Sequence, residues 1–222
     1  MMNLSVTDRL HEAAAPVWEK CLNHPFVKSI GDGTLDVEKF KFFMLQDYLY
    51  LFDYAKVFAL GVVKARDKEL MRTFAKNVDA VLNGEMNIHR AYMDRLGVTE
   101  EQVLSVHPAL DNLSYTHYMT SVASSGTPME IVASILACSW SYAEIGQALA
   151  QIPGALEHPF YGEWIRGYAS EEYAATNDRL IRLMNDLAED ASEEQVKYLT
   201  EIFVNCSRYE LSFWDMAWEM RQ

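Results

Sequence analysis

TPMEIVASILACSWSYAEIGQALA, residues 127–150, begins with a helix start and runs on without a break. Thr127 can cap, Pro128 stands at the first helical position where a missing N–H costs nothing, and Glu130 can return the capping-box hydrogen bond. Ile131, Ile135, Cys138, Tyr142, Ile145 and Leu149 follow at three- and four-residue intervals, which puts them on one stripe of a helix. The stretch therefore predicts a long helix over 127–151 whose inward face carries a thiol.

The same start chemistry recurs along the chain. Ser192-Glu193-Glu194-Gln195 opens the last periodic run, Thr99-Glu100-Glu101-Gln102 opens a short one, and Asp36 caps the run beginning VEKFKFF. Periodicity predicts helices near 5–23, 36–65, 67–95, 99–104, 109–124, 127–151, 159–168, 171–189 and 192–220, with Pro108 and Pro159 in first turns. Strand-like alternation is nearly absent. The fold class is all-α, a multi-helix bundle with short connections. With no repeat, low-complexity stretch or Pro/Gly/Ser-rich linker to mark a boundary, a single domain over 1–222 is expected. A chain of 222 residues that is 50% hydrophobic can fill one such core.

Composition narrows the function classes. The formal net charge is −13, from 32 acidic and 19 basic residues, and the acids are spread along the chain. Such a surface repels phosphate backbones and anionic lipid, so neither a nucleic-acid nor a membrane partner is expected. MMNLSVTDRLHEAAAPVW lacks the basic and apolar regions of a secretory leader, and no apolar run is long enough to span a bilayer. A cytoplasmic location is expected. Cys21, Cys138 and Cys206 are far apart with no C-x-x-C spacing, and read as free thiols of a reducing compartment.

Several polar residues fall on apolar helix faces. Asp47 shares a stripe with Phe40, Phe43, Tyr50, Leu51, Tyr54 and Phe58; Glu210 shares one with Phe203, Cys206, Phe213, Trp214 and Ala217. A carboxylate among rings is costly to bury unless partnered. Glu85 and His89, four apart, lie with Phe74, Val78, Leu82, Tyr92 and Leu96, and could bond one another across one turn. Taken singly each has an ordinary packing role: a structural acid bonded to a tyrosine or helix end, a cysteine acting as a small hydrophobe. Together, two carboxylates and a thiol near the middle of long helices make a chemical toolkit, because bundles build core pockets from facing side chains.

Spacing excludes the commoner toolkits. A di-iron bundle needs Glu-x-x-His pairs, and none occurs; an irregular metal site from Asp47, Glu210, His89, His117 and Glu144 is a minor alternative. The G-x-S-x-G elbow of a serine hydrolase and Gly-rich phosphate loops are also missing. No cofactor and no metal are expected.

At seven ordered strings the chain resembles the TenA/thiaminase II family, aminopyrimidine aminohydrolases with a haem-oxygenase-like all-α fold. They are HPFVKSIGDGTL (24–35), FKFFMLQDYLYLFDYAKV (40–57), GEMNIHRAY (84–92), SYTHYM (114–119), LACSWSYAEIG (136–146), HPFYGEWIRGYAS (158–170) and SRYELSFWDMAW (207–218). The resemblance implies Cys138 as nucleophile, Glu210 as proton donor and Tyr50 as the residue that raises the thiol's nucleophilicity. It implies Asp47 as holder of the pyrimidine's amino group and Tyr142 and Tyr168 as further binding residues, with Tyr115, Phe213 and Trp140 as candidate aromatic walls. The implied activity is hydrolysis of 4-amino-5-aminomethyl-2-methylpyrimidine to the hydroxymethylpyrimidine in thiamine salvage, with thiamine a possible second substrate. A homotetramer is implied as well.

The implied chemistry is physically sound, since covalent catalysis divides one hard displacement into two easier steps. An apolar surrounding favours the protonated form of Glu210, which suits a proton donor near neutral pH. Two alternatives stay open: a haem- or iron-binding bundle using His11 of RLHEAA, and a non-catalytic regulatory member of the family.

Overall fold

The computed structural model describes residues 4–222. Among them every regular element is helical: α1 Val6–Leu22, α2 Pro25–Gly31, α3 Val37–Lys64, α4 Lys68–Asp79, a π-helical turn Ala80–Glu85, α5 Met86–Arg95, α6 Glu100–Ser105, α7 Leu110–Ser125, α8 Pro128–Ala150, α9 Gly162–Tyr168, α10 Glu171–Leu187 and α11 Glu193–Glu219. The all-α expectation holds. No helix among the described residues is long and apolar enough to cross a membrane.

The start signals act as the sequence indicates. At α8 the backbone N–H of Thr127 donates to Glu130 Oε2 at 2.7 Å. Asp36 Oδ1 accepts from the Glu38 N–H at 2.8 Å to open α3. At α11 Ser192 and Gln195 exchange backbone-to-side-chain bonds of 2.9 and 3.3 Å. These bonds satisfy the donors that each helix N-terminus leaves without an internal partner.

Three elements differ from the periodicity. The seven-residue α2 is additional; it is too short to show a stripe, and its cap is His24, whose Nδ1 accepts from the Phe26 N–H at 3.2 Å. His158, also followed by Pro-Phe, uses Nδ1 to accept from the N–H groups of Phe160 and Tyr161 at 3.2 and 3.0 Å. That turn holds Pro159, so α9 begins at Gly162 and not at 159. The predicted 67–95 helix is divided by the π turn, whose wider i→i+5 geometry inserts an extra residue into the phase. Leu82, expected on the inward stripe, is consequently 39% exposed.

The chain forms two compact units. The first takes the described residues up to Leu35 together with Val132–Asp215. Its core includes Trp18, whose ring packs edge-on to Trp140 at 5.6 Å and against Phe203 at 5.5 Å, while its Nε1–H donates to Ser207 Oγ at 2.9 Å. Phe26 of α2 packs on Trp214 of α11 at 5.5 Å. In α8, Gly146 permits a close backbone approach: a Cβ there would lie 2.6 Å from the Tyr168 carbonyl carbon and 2.8 Å from the Ala169 nitrogen.

The second unit takes Asp36–Ile131 and Met216–Gln222, with α3 packed against α4, α5 and α7. Its buried rings include Phe40, Phe43, Phe58, Phe74 and Tyr92. Gln46 of α3 pins the start of α7. Its Oε1 accepts from the Ala109 N–H at 2.9 Å, its Nε2 donates to the His107 carbonyl at 3.1 Å, and its own carbonyl accepts from Asn112 Nδ2 at 2.7 Å.

Candidate active site

Each unit carries part of the candidate machinery. In the first, α8 supplies Cys138 and Tyr142, α9 supplies Tyr168, and α11 supplies Glu210 and Phe213. Cys138 and Tyr142 are one turn apart, and therefore share a face of α8. The Tyr142 ring meets Tyr168 at 4.9 Å, Trp214 at 5.3 Å and Trp164 at 6.1 Å, a wall of tilted, mutually packed rings. Glu210 and Phe213 are buried.

The three cysteines occupy different environments. Cys138 is half-buried, whereas Cys21 and Cys206 are buried. Burial, followed by the negative charges of Glu210 and Asp215, pushes the Cys21 thiol up to about 12. Burial and Glu210 likewise raise Cys206 well above the ordinary thiol range. Only the thiolate is a strong nucleophile, so Cys21 and Cys206 are inert neighbours of the Glu210 carboxylate.

Trp140 falls elsewhere in this unit. Two residues beyond Cys138 it points about 200° around the helix, and it packs on His11 at 4.9 Å and on Trp18. It belongs to that cluster and not to the ring wall around Tyr142. His11, the residue the haem-binding alternative would use, engages Glu144 Oε1 through Nε2 at 2.7 Å.

In the second unit, α3 carries Asp47 and Tyr50, and α7 carries Tyr115. All three are buried. The Tyr50 ring lies 5.2 Å from Tyr115 and stacks on Tyr54 at 5.4 Å, and its hydroxyl donates to Met119 Sδ at 3.6 Å. Asp47 Oδ2 lies 2.6 Å from Nε2 of His89. This corrects the expected Glu85/His89 side-chain pair: His89 Nδ1 instead meets the backbone carbonyl oxygen of Glu85 at 2.9 Å. The sequence signalled that Asp47 needs a partner and that His89 faces inward. The 42-residue separation hid that each answers the other.

No group of three His, Cys, Asp or Glu side chains among the described residues is placed to hold a metal ion. The irregular site from Asp47, Glu210, His89, His117 and Glu144 is not assembled among them. What the residues offer is acid–base and nucleophilic chemistry beside aromatic faces.

Comparison with known proteins first defines the fold class. A Shewanella denitrificans domain described as having a heme oxygenase-like fold superposes with a TM-score of 0.78 at 18% identity, over 96% of this chain and 92% of that one. The fold is thus haem-oxygenase-like. The model of the TENA/THI-4/PQQC family matches residues 11–220, and the chain belongs to this family. An "Aminopyrimidine aminohydrolase" of Halalkalibacterium halodurans is 49% identical over 218 residues, 98% of this chain and 97% of that protein. A TenA homologue from P. horikoshii OT3 superposes with a TM-score of 0.89 at 31% identity, covering 97% of this chain and 99% of that one.

Proposed function

We propose that this protein is an aminopyrimidine aminohydrolase that converts 4-amino-5-aminomethyl-2-methylpyrimidine and water to the hydroxymethylpyrimidine and ammonia, in thiamine salvage. The observation that carries the reading is the 49% identity, over nearly the whole of both chains, to a relative named for that activity. Cys138, Glu210 and Asp47, the residues to which the family resemblance gives roles, support it.

Cys138 attacks the ring carbon beside the one bearing the aminomethyl group, forming a C–S bond while Glu210 protonates the ring nitrogen. The aminomethyl nitrogen, protonated near neutral pH, is expelled from the exocyclic carbon of the electron-rich adduct as ammonia. Water adds to that carbon and gives up one proton to solvent, the ring nitrogen returns its proton to Glu210, and the C–S bond breaks to release the thiolate. Nucleophile and acid thus both end as they began. Asp47 accepts hydrogen bonds from the pyrimidine's amino group, a charge-assisted contact that orients the ring. Tyr142 and Tyr168 pack on it with Tyr115 and Phe213, and Tyr50 raises the nucleophilicity of the thiol.

The chain works as one domain in the cytoplasm and assembles as a homotetramer, a reading supported by the family resemblance and by apolar residues such as Val63, Leu104 and Leu110 left at least 70% exposed in one chain. The test is turnover of the aminomethylpyrimidine against thiamine, before and after thiol alkylation with and without product present. Loss of turnover on alkylation, with product protecting, is expected. Turnover that survives complete alkylation of Cys138 overturns the nucleophile, and a monomer by light scattering overturns the assembly.

A further inference from the structure

His89 is 2% exposed, and both of its ring nitrogens face acceptors, Asp47 Oδ2 at 2.6 Å and the Glu85 carbonyl oxygen at 2.9 Å. A carbonyl cannot donate, so Nδ1 carries a proton and the ring is pinned against flipping. Burial opposes a charged ring here. The hydrogen bond and charge of Asp47, then the charge and carbonyl of Glu85, outweigh it and hold His89 above its ordinary value. Whichever atom carries the shared proton, Oδ2 of Asp47 is committed to His89. Oδ1 is left to accept from another donor.

The π turn is what aims the ring. Continuing an α-helix at 100° per residue from the buried Phe74 would leave Ile88 about 40° and His89 about 60° from the inward direction. The apolar residue would have the better claim to the core. In the structure the order is reversed: Ile88 is 48% exposed while His89 is buried. Buried positions step from Val81 to Met86, a five-residue interval across Ala80–Glu85, and then to His89, Tyr92 and Met93. The helix thus exposes an isoleucine in order to bury a histidine against an acid 42 residues away. Wide turns of this kind inside helices recur at functional sites.

We propose that His89, aimed by the π turn Ala80–Glu85, is the positioning residue for Asp47: it occupies Oδ2 and fixes the rotation of the carboxylate so that Oδ1 receives the pyrimidine's amino group. This rests on the reading of Asp47 as the substrate-binding carboxylate. His89 acts through Asp47, so its loss weakens binding of substrate and transition state alike, raising KM with little change in kcat.

The experiment is a double-mutant cycle on the full-length protein with the aminomethylpyrimidine as substrate, using Asp47→Ala, His89→Phe and the double variant, with His89→Gln as the conservative replacement. His89→Phe is expected to raise KM about tenfold or more with kcat within about threefold, and His89→Gln, whose amide N–H can reach Oδ2, to recover most of that loss. In the Asp47→Ala background His89→Phe should add less than about a twofold further change, because the two residues act as one unit. An equal factor in both backgrounds, or His89→Gln as impaired as His89→Phe, overturns the positioning role. Should His89→Phe fail to fold by circular dichroism, His89→Asn, whose amide is too short to reach Oδ2, takes its place in the cycle. If Asp47→Ala is impaired and His89 variants are not, this inference alone fails. If Asp47→Ala keeps the wild-type KM, the substrate-binding role of Asp47 fails and takes the inference with it.

Discussion

Gly146→Ala turns a helix-stabilising substitution into a destabilising one. In an ordinary helix interior, replacing glycine by alanine adds about 0.5–1 kcal/mol of stability. Here the new Cβ would stand 2.6 Å from the Tyr168 carbonyl carbon, where ordinary contact begins at 3.4 Å, so α9 must retreat by about 0.8 Å. The obstacle is backbone, which cannot swing aside like a side-chain tip. Overpacking of this kind costs about 1–3 kcal/mol. The net effect is a loss of about 0–2.5 kcal/mol, centred near 1 kcal/mol, which at that centre lowers Tm by about 2–4 °C in a chain of this size. Because the retreating residue is Tyr168, whose ring meets Tyr142 at 4.9 Å, KM for the aminomethylpyrimidine should rise about three- to tenfold. Thermal melting by circular dichroism and steady-state kinetics on the same preparation read both. A variant that melts at or above the wild-type temperature with an unchanged KM refutes the close approach of α9 to Gly146.

Iodoacetamide near neutral pH should modify Cys138 in the native protein and spare Cys21 and Cys206, whose thiols are buried and held protonated; peptide mass spectrometry showing equal labelling of the three contradicts this. Ser207→Ala removes the acceptor of the buried Trp18 Nε1–H and should cost about 1–3 kcal/mol of stability while leaving KM in place. A variant of unchanged Tm would count against that bond. The folded-state value of His89 lies above the ordinary 6.5, so its ion-pair stabilisation is complete below that pH and is lost as pH rises through the raised value. The Tm difference between wild type and His89→Gln should therefore narrow as pH increases, and a difference that widens contradicts the assignment.

The sequence announced those features whose causes are local. Thr127-Pro128-Met129-Glu130, Asp36 and Ser192–Gln195 start their helices through bonds between residues two or three apart, so reading the string finds them. Asp47, Glu210 and Cys138 stood out because charge or sulfur on an apolar stripe is legible from periodicity alone. What escaped has non-local or subtler causes. The α2 helix is capped by histidine and too short for a stripe. One extra residue of π geometry leaves no compositional mark, yet it sends Leu82 and Ile88 outward and turns His89 more squarely into the core. Partner choice is the hardest part to read: Asp47 needed a donor, but helix spacing offered His89 only Glu85, four residues away, whereas tertiary packing supplied Asp47.

Dependence of aminopyrimidine hydrolysis on Cys138, with Glu210 as its acid, is read by measuring ammonia and hydroxymethylpyrimidine released from the aminomethylpyrimidine by wild type, Cys138→Ala and Glu210→Gln. Wild type should form the two products in equal amounts. Cys138→Ala should fall by about 10³-fold or more and Glu210→Gln by about 10²–10⁴-fold, both with the helical content of wild type. Turnover by Cys138→Ala at the wild-type rate would overturn Cys138 as the nucleophile.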